Sequence, residues 1–204
     1  MTSPEPRRWP AVTSLADAVR QATATAWGRA NARNFDRSLE QLRRGGGMAM
    51  LGTLHGEVIH ADGSRDPLGL MSCRVVTTAG VNFLVDCLQG LAEPELLRFH
   101  GFGTGTTAEA VGQTALVAEL TTQYATANTR PTGTLGEQTA TPNVFETVAT
   151  NTVSATAAIT EHGILTQAAA PGGVLLDRSV FGAVTLAAAE SLQVTYRLTL
   201  PSGG

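Results

Sequence analysis

Four histidines, two cysteines and seventeen carboxylates are the groups of this chain with the means to do chemistry, and their spacing limits what that chemistry can be. His55 and His60 lie five apart in a stretch that alternates like a strand. They therefore point to opposite faces and cannot share a metal there. Glu161-His162 sets a carboxylate beside an imidazole, the beginning of an acid–base pair. No G-x-S-x-G elbow occurs to supply a nucleophile, so His162 reads as a hydrogen-bonded structural residue. His100 stands alone. Asp62-Gly-Ser-Arg-Asp66 has two acids in a turn but lacks the further ligands and distal Glu of a calcium loop, and reads as a hairpin tip. Gly101-Phe-Gly103-Thr-Gly105-Thr-Thr107 follows a strand as a nucleotide loop would. Its spacing is G-x-G-x-G rather than G-x-G-x-x-G, and no helix opens directly after it. The expectation is a tight loop whose glycines allow positive φ or close backbone approach. Cys73 and Cys87 form no C-x-x-C and sit among apolar neighbours, as buried free thiols of an intracellularly made protein do. No catalytic, cofactor-binding or metal-ligating residue is assigned, and no cofactor is expected.

The elements that must position these groups belong to a chain of 204 residues, one domain or one domain with an arm. Hydrophobic residues make up 43% and charged residues 15%, too apolar for disorder. All fourteen basic residues are Arg. Without Lys there is no P-loop lysine, no Schiff base and no kinase-type lysine. No apolar run reaches the ~20 residues of a membrane span. The opening decapeptide, with three Pro, lacks the apolar stretch of a secretion signal. Charge is uneven. Residues 1–47 carry eight Arg and four acids, while residues 48–204 carry six Arg and thirteen acids, so +4 and −7 make the net −3. A basic arm on an acidic body points to an acidic partner surface. Nucleic acid is not the expected partner, since isolated binders are far more basic.

In residues 1–47 the pattern is helical. Ser14 can cap a helix with Asp17 three residues on, and Leu15, Ala18, Val19, Ala22 and Ala26 make one apolar stripe ending at Trp27-Gly28. Asn34 can cap a second helix, with Phe35, Leu39 and Leu42 on one face and Arg43-Arg44 in the last turn. Gly45-Gly46-Gly47 marks a boundary where the charge also switches. Such an arm is expected to pack on the body or on a neighbouring subunit. From 48 the period becomes two. Strands are expected at 48–60, 68–76, 96–103, 130–134, 144–151, 155–161, 164–167, 174–181 and 191–200. Asp62-Gly63 is a turn, and one inserted helix runs from Thr78 to a stop at Gly90. A short helical turn is expected at 115–120. Short antiparallel strands with Thr on the outer face give the expected fold: mainly β, an antiparallel β-sandwich of jelly-roll type in residues 48–204, with one inserted helix and a basic helical arm in residues 1–47.

Four segments resemble a type common among tailed-bacteriophage virion proteins. They are Val75-Val-Thr-Thr-Ala-Gly-Val-Asn-Phe83; His100-Gly-Phe-Gly-Thr-Gly-Thr-Thr107 followed by Gln113-Thr-Ala-Leu116; Ile159-Thr-Glu-His-Gly-Ile164; and Leu175-Leu-Asp-Arg-Ser-Val-Phe181 followed by Ser191-Leu-Gln-Val-Thr-Tyr196. Similar phage proteins show G-x-G-T-G-T-T then D-T-A-L, I-T-E-x-G-(I/L), and G-D-S-(L/I)-x-(V/A)-T-Y. Here Gln113 stands for the usual Asp, and Ala189-Glu190 for Gly-Asp. The resemblance spans roughly residues 50–200 and leaves out the arm. It implies a non-enzymatic structural protein of the virion, made in the host bacterial cytoplasm. The first expectation is a head decoration or cement protein on the capsid exterior, which binds the major capsid protein or other virion proteins and copies of itself as a homo-oligomer. A tail or head–tail connector component is the alternative, followed by a fibre-type receptor- or glycan-binding module. The absence of Trp after residue 48 counts against the last.

Overall fold

A computed structural model describes residues 7, 9–10, 15–31, 50–138 and 141–200. Among these residues, eight strands form two antiparallel sheets: β1 (Leu51–Ile59), β2 (Arg65–Val75), β3 (Phe99–Gly103), β4 (Thr134–Gln138), β5 (Thr141–Thr152), β6 (Ala157–Leu165), β7 (Leu175–Leu186) and β8 (Ser191–Thr199). The larger sheet has the order β2-β1-β8-β5-β4 and the smaller β3-β6-β7. Helices α1 (Leu15–Ala22) and α2 (Ala26–Ala30) precede the strands, and α3 (Thr78–Leu88) is inserted between β2 and β3.

Alternation sets the sheets' faces. In β8, Leu192, Val194, Tyr196 and Leu198 are buried in one core cluster with Leu54 and Val58 of β1. The same cluster takes Phe102, Ile159, Ile164, Leu176, Val184 and Leu186 from the smaller sheet. A one-residue slip would turn every one of these side chains over, so the β1–β8 register, from Leu51↔Thr199 to Ile59↔Ser191, is fixed by burial. The Asp62-Gly63 turn closes as expected: His60 N–H donates to Ser64 O at 2.9 Å, and Gly63 takes φ +85°. The inserted helix also forms, with its cap one residue earlier than expected: Thr77 Oγ1 accepts from Gly80 N–H at 3.0 Å. Gly90 follows it at φ +72°.

Three local readings are corrected. The two strands expected at 155–161 and 164–167 are one continuous strand, β6, running through Glu161-His162-Gly163. The helical turn expected at 115–120 does not form, because the amides of Val117 and Ala118 donate to Glu161 instead of to a helix ladder. The strand expected at 130–134 is a single bridge, Phe99↔Thr132, with β4 beginning only at Thr134.

The first helix ends earlier than its stripe suggests. Thr25 caps α2 and also donates its hydroxyl to Leu68 O at 2.6 Å, so the chain turns at 23–25 to reach β2. Of the expected stripe, Ala22 is buried while Val19 and Ala26 are exposed. Residues 7, 9 and 10 lie on the face of the larger sheet away from the core, while Trp27 of α2 packs against the core cluster. Arg7 and Arg65 both pair with buried Glu57, Trp9 stacks on His55 with centroids 5.4 Å apart, and Pro10 O accepts from Arg197 at 2.9 Å. The second helix expected from Asn34 and the Gly45–Gly47 boundary lie outside the described residues.

Candidate functional site

Three of the segments that carry the resemblance meet on one side of the smaller sheet. Gly101 of β3 pairs directly with Gly163 of β6. A Cβ on Gly101 would lie 2.8 Å from Leu116 Cδ1, and one on Gly163 would lie 3.0 Å from Leu116 Cδ2. The two glycines thus form a notch, and Leu116 fills it with Leu165 and Leu175 to make a small separate core. Gly163 works here through close approach, with Leu175 Cδ1 2.8 Å from its virtual Cβ. It is not among the residues of positive φ, in keeping with a strand that runs on where a break was expected between residues 161 and 164.

Beside the notch, Glu161 is wholly buried and accepts four hydrogen bonds: from Gly105 N–H at 3.1 Å, Ala118 N–H at 2.7 Å, Val117 N–H at 3.1 Å and Arg178 Nε at 2.7 Å. A carboxylate offers about four lone-pair positions. All are used, which leaves Glu161 no capacity to act as a base or to hold a ligand. Arg178 is equally buried. Its Nη1 donates to Thr107 O at 2.9 Å and to Gln113 Oε1 at 3.2 Å. Gln113, where the related pattern has Asp, reaches the guanidinium as an amide oxygen would. Gly103 and Gly105 supply the room: a Cβ on either would fall 2.5 or 2.6 Å from Glu161 Oε1. The G-x-G-T-G-T-T loop is therefore a cradle for an internal carboxylate and not for a phosphate.

On the other side of the same strands lies a relay of rings. His162 Nε2 is 3.0 Å from His100 Nδ1, and His100 Nε2 is 3.1 Å from Thr147 Oγ1 on the larger sheet. Both imidazoles are buried, and burial holds His100 down at about 3. Phe102 meets His162 edge-on at 5.2 Å. With both rings buried, this relay ties the two sheets together.

The other candidates are dispersed. His55 is buried under Trp9, with Nε2 3.1 Å from Gln21 Oε1. Burial first, and then the Arg197 charge, lower it to about 3. His60 bridges Glu190 at 2.6 Å and Asp66 at 3.0 Å. Those hydrogen bonds, Glu190 first, raise it to about 8. Asp62 turns inward to Ser64 N–H and Oγ at 2.8 and 2.6 Å, and these bonds lower its pKa. Asp66 instead faces His60, so the two acids of the turn do not converge. Cys73 and Cys87 form no disulfide with each other; Cys73 is buried as expected, whereas Cys87 is only partly buried, which corrects the expectation of two buried thiols. Among the described residues no three His, Cys, Asp or Glu side chains converge as a metal site.

Two features escaped the sequence reading. Arg130 grips Glu119 through Nε at 2.5 Å and Nη2 at 2.8 Å, while Nη1 donates to Gln167 O, Ala169 O and Gly172 O. Arg178 was legible in principle, because an Arg in a strand flanked by Leu175-Leu176 and Val180-Phe181 needs a buried partner. The second feature is an open groove of about 660 Å³, bounded by Thr25, Trp27, His60, Asp66, Leu68 and Thr185. It sets a Trp from the N-terminal segment against the end of the β1–β2 hairpin. Comparison with protein-family models, with curated proteins and with solved structures finds no significant match.

Proposed function

We propose that this chain is a non-enzymatic structural protein of a tailed-phage particle, which decorates or cements the capsid exterior as a homo-oligomer. One observation carries the reading. The segments that resemble phage virion proteins converge on the buried Glu161–Arg178 pair and the Gly101/Gly163 notch, where every polar atom of Glu161 is spent on holding the fold. A signature devoted to an internal staple fits a protein selected for shape. In this reading the two sheets face each other as a β-sandwich, jelly-roll-like in that the first and last strands are neighbours, and residues 48–204 form the body. Residues 1–47 form an arm whose early part lies against its own body and whose remainder meets a neighbour.

Cryo-EM of the native particles, with peptide mass spectrometry of the purified virions, tests the reading. The expected result is density for the two-sheet body on the outside of the head, at a copy number set by capsid symmetry. Density at the neck or tail would move the protein to the connector alternative. Absence from purified particles would end the proposal. The groove beside Trp27 favours a second reading, a glycan-binding module, because an aromatic wall with Asp66 and Thr185 nearby suits a sugar ring. Quenching or enhancement of Trp fluorescence by host-surface glycans, lost in Trp27→Ala, would support it.

A further inference from the structure

The inserted helix has two unlike faces. One packs inward: Gly80 and Phe83 are buried, and a Cβ on Gly80 would lie 2.7 Å from Leu176 backbone atoms, so α3 rests directly on β7. The other carries Val81, Val85 and Leu88 at i, i+4 and i+7, and Leu88 is 89% exposed. Leu91, just past the helix, is 73% exposed. Thr78 N–H donates to Val111 O at 2.8 Å, which brings another exposed valine to the first turn. A line of apolar side chains this long on a surface calls for a partner.

Charge narrows the choice. Between residues 78 and 97 the chain has Asp86, Glu93 and Glu95 and no basic residue. Two copies of this face would bring like charges together, which disfavours packing α3 on α3. The complementary pattern is in the same chain. Phe35, Leu39 and Leu42 repeat the spacing i, i+4, i+7, and residues 33–44 hold Arg33, Arg37, Arg43 and Arg44 against Asp36 and Glu40, a net of +2. Among the described residues nothing covers the α3 face. We propose that the exposed face of α3 is the docking surface for residues 34–44 of a neighbouring copy, with apolar stripes in register and arginines over the acidic rim. The inference rests on the self-association in the proposed function and gives it a contact. Three or four side chains on each partner fall well below the ~800 Å² per partner of a stable pair. The contact is therefore weak alone and counts where copies are held side by side.

The test uses the full chain. A photoreactive benzoylphenylalanine replaces Leu88 in unlabelled protein, which is mixed with ¹⁵N-labelled protein over a concentration series and irradiated. The expected adduct joins residue 88 to the heavy peptide containing Phe35, Leu39 and Leu42. Leu39→Ser should lower the adduct yield about tenfold at sub-saturating concentration, and raising the salt should lower it further. Glu93→Arg with Glu95→Arg should also lower it, and adding Arg37→Glu and Arg43→Glu in the partner should restore it. Adducts to the light chain only would mean that the segment covers its own helix, and would overturn the proposal. So would adducts elsewhere on the neighbour, or none at any concentration. These outcomes are independent of whether the protein is found in purified virions, which alone decides the proposed function.

Discussion

Replacing Glu161 by Gln is the most direct test of the staple. The side chain keeps its size and position but exchanges one oxygen for an NH2. Oε1 accepts from Gly105 and Ala118, and Oε2 from Val117 and Arg178. Whichever way the amide turns, its NH2 group faces two donors and leaves them unsatisfied. A buried polar group without its partner costs about 1–3 kcal/mol, so two cost about 4 kcal/mol. If the orphan is the Arg178 guanidinium, that matches the ~3–5 kcal/mol for removing one member of a buried ion pair. For a chain of this length, with roughly 2–4 °C per kcal/mol, the melting temperature should fall by roughly 8–16 °C. Urea unfolding gives the free energy, and amide exchange gives the location: Gly105, Val117 and Ala118 should lose protection before the strands do. Arg178→Met combined with Glu161→Gln should show a coupling of about 0.5–3 kcal/mol, as contacting residues do. A loss under about 1 kcal/mol, with exchange at those three amides unchanged, would refute the staple.

Three further outcomes follow from the same structure. Gly163→Val should destabilise at least as much as a typical overpacked core substitution, about 1–3 kcal/mol, because its side chain would displace Leu116 and meet Leu175; a chemical-denaturation midpoint equal to the parent's would contradict this. His55 and His100 are held at about 3, below the unfolded value of 6.5, so the unfolded chain binds more protons between those limits. Stability is full above pH 6.5 and should fall as pH drops, by about 2 kcal/mol per ring at pH 5, while His60, raised to about 8, adds a small opposing share that fades as pH rises through 8; melts across pH should show the acid slope, reduced in His100→Asn. A chain starting at Met48 loses Trp9 and Gln21 from His55 and Arg7 from Glu57, so it should still unfold cooperatively but at lower temperature and with His55's share of the acid slope gone; an unchanged melt and slope would show that the sheet does not need this cover.

How far the fold could be read from sequence depended on whether a residue's partner was local. β8 was legible because Leu192, Val194, Tyr196 and Leu198 alternate against polar neighbours, and a sheet with one buried face imposes that pattern. The Asp62-Gly63 turn and the helix Thr78–Leu88 announce themselves through turn and cap chemistry within a few residues, although the cap is Thr77 and not Thr78. β6 was misread because Glu161-His162-Gly163 interrupts an apolar alternation and looks like a loop. In the structure these residues are mid-strand, with hydrogen-bonding partners 43 to 62 residues away, at Ala118, Gly105 and His100. No local window contains that information. The same distance explains residues 115–120: Ala-Leu-Val-Ala-Glu-Leu has helical composition, but two of its amides are committed to Glu161.

The arm presents the same problem in its charges. Counted along the sequence, eight Arg in residues 1–47 look like a single basic surface waiting for an acidic partner. The structure divides them. Arg7 answers Glu57 of its own sheet, Arg20 pairs with Asp17 one turn away, and Arg29 donates to Thr23 O and Ala24 O at 3.1 and 3.3 Å. Glu57 is buried with both Arg7 and Arg65 upon it, and Arg197 is held between Glu146 and Pro10 O, so each of these charges on the outer face of the larger sheet has a partner once the N-terminal segment is in place. The arginines of the first thirty residues that the structure describes therefore serve the fold. The other five, Arg8, Arg33, Arg37, Arg43 and Arg44, lie outside the described residues, and four of them belong to the stretch whose apolar spacing matches the open face of α3. Screening should then act unevenly. Added salt should weaken association between copies, where charges meet across an exposed rim, well before it weakens the half-buried pairs that hold the segment to its own sheet.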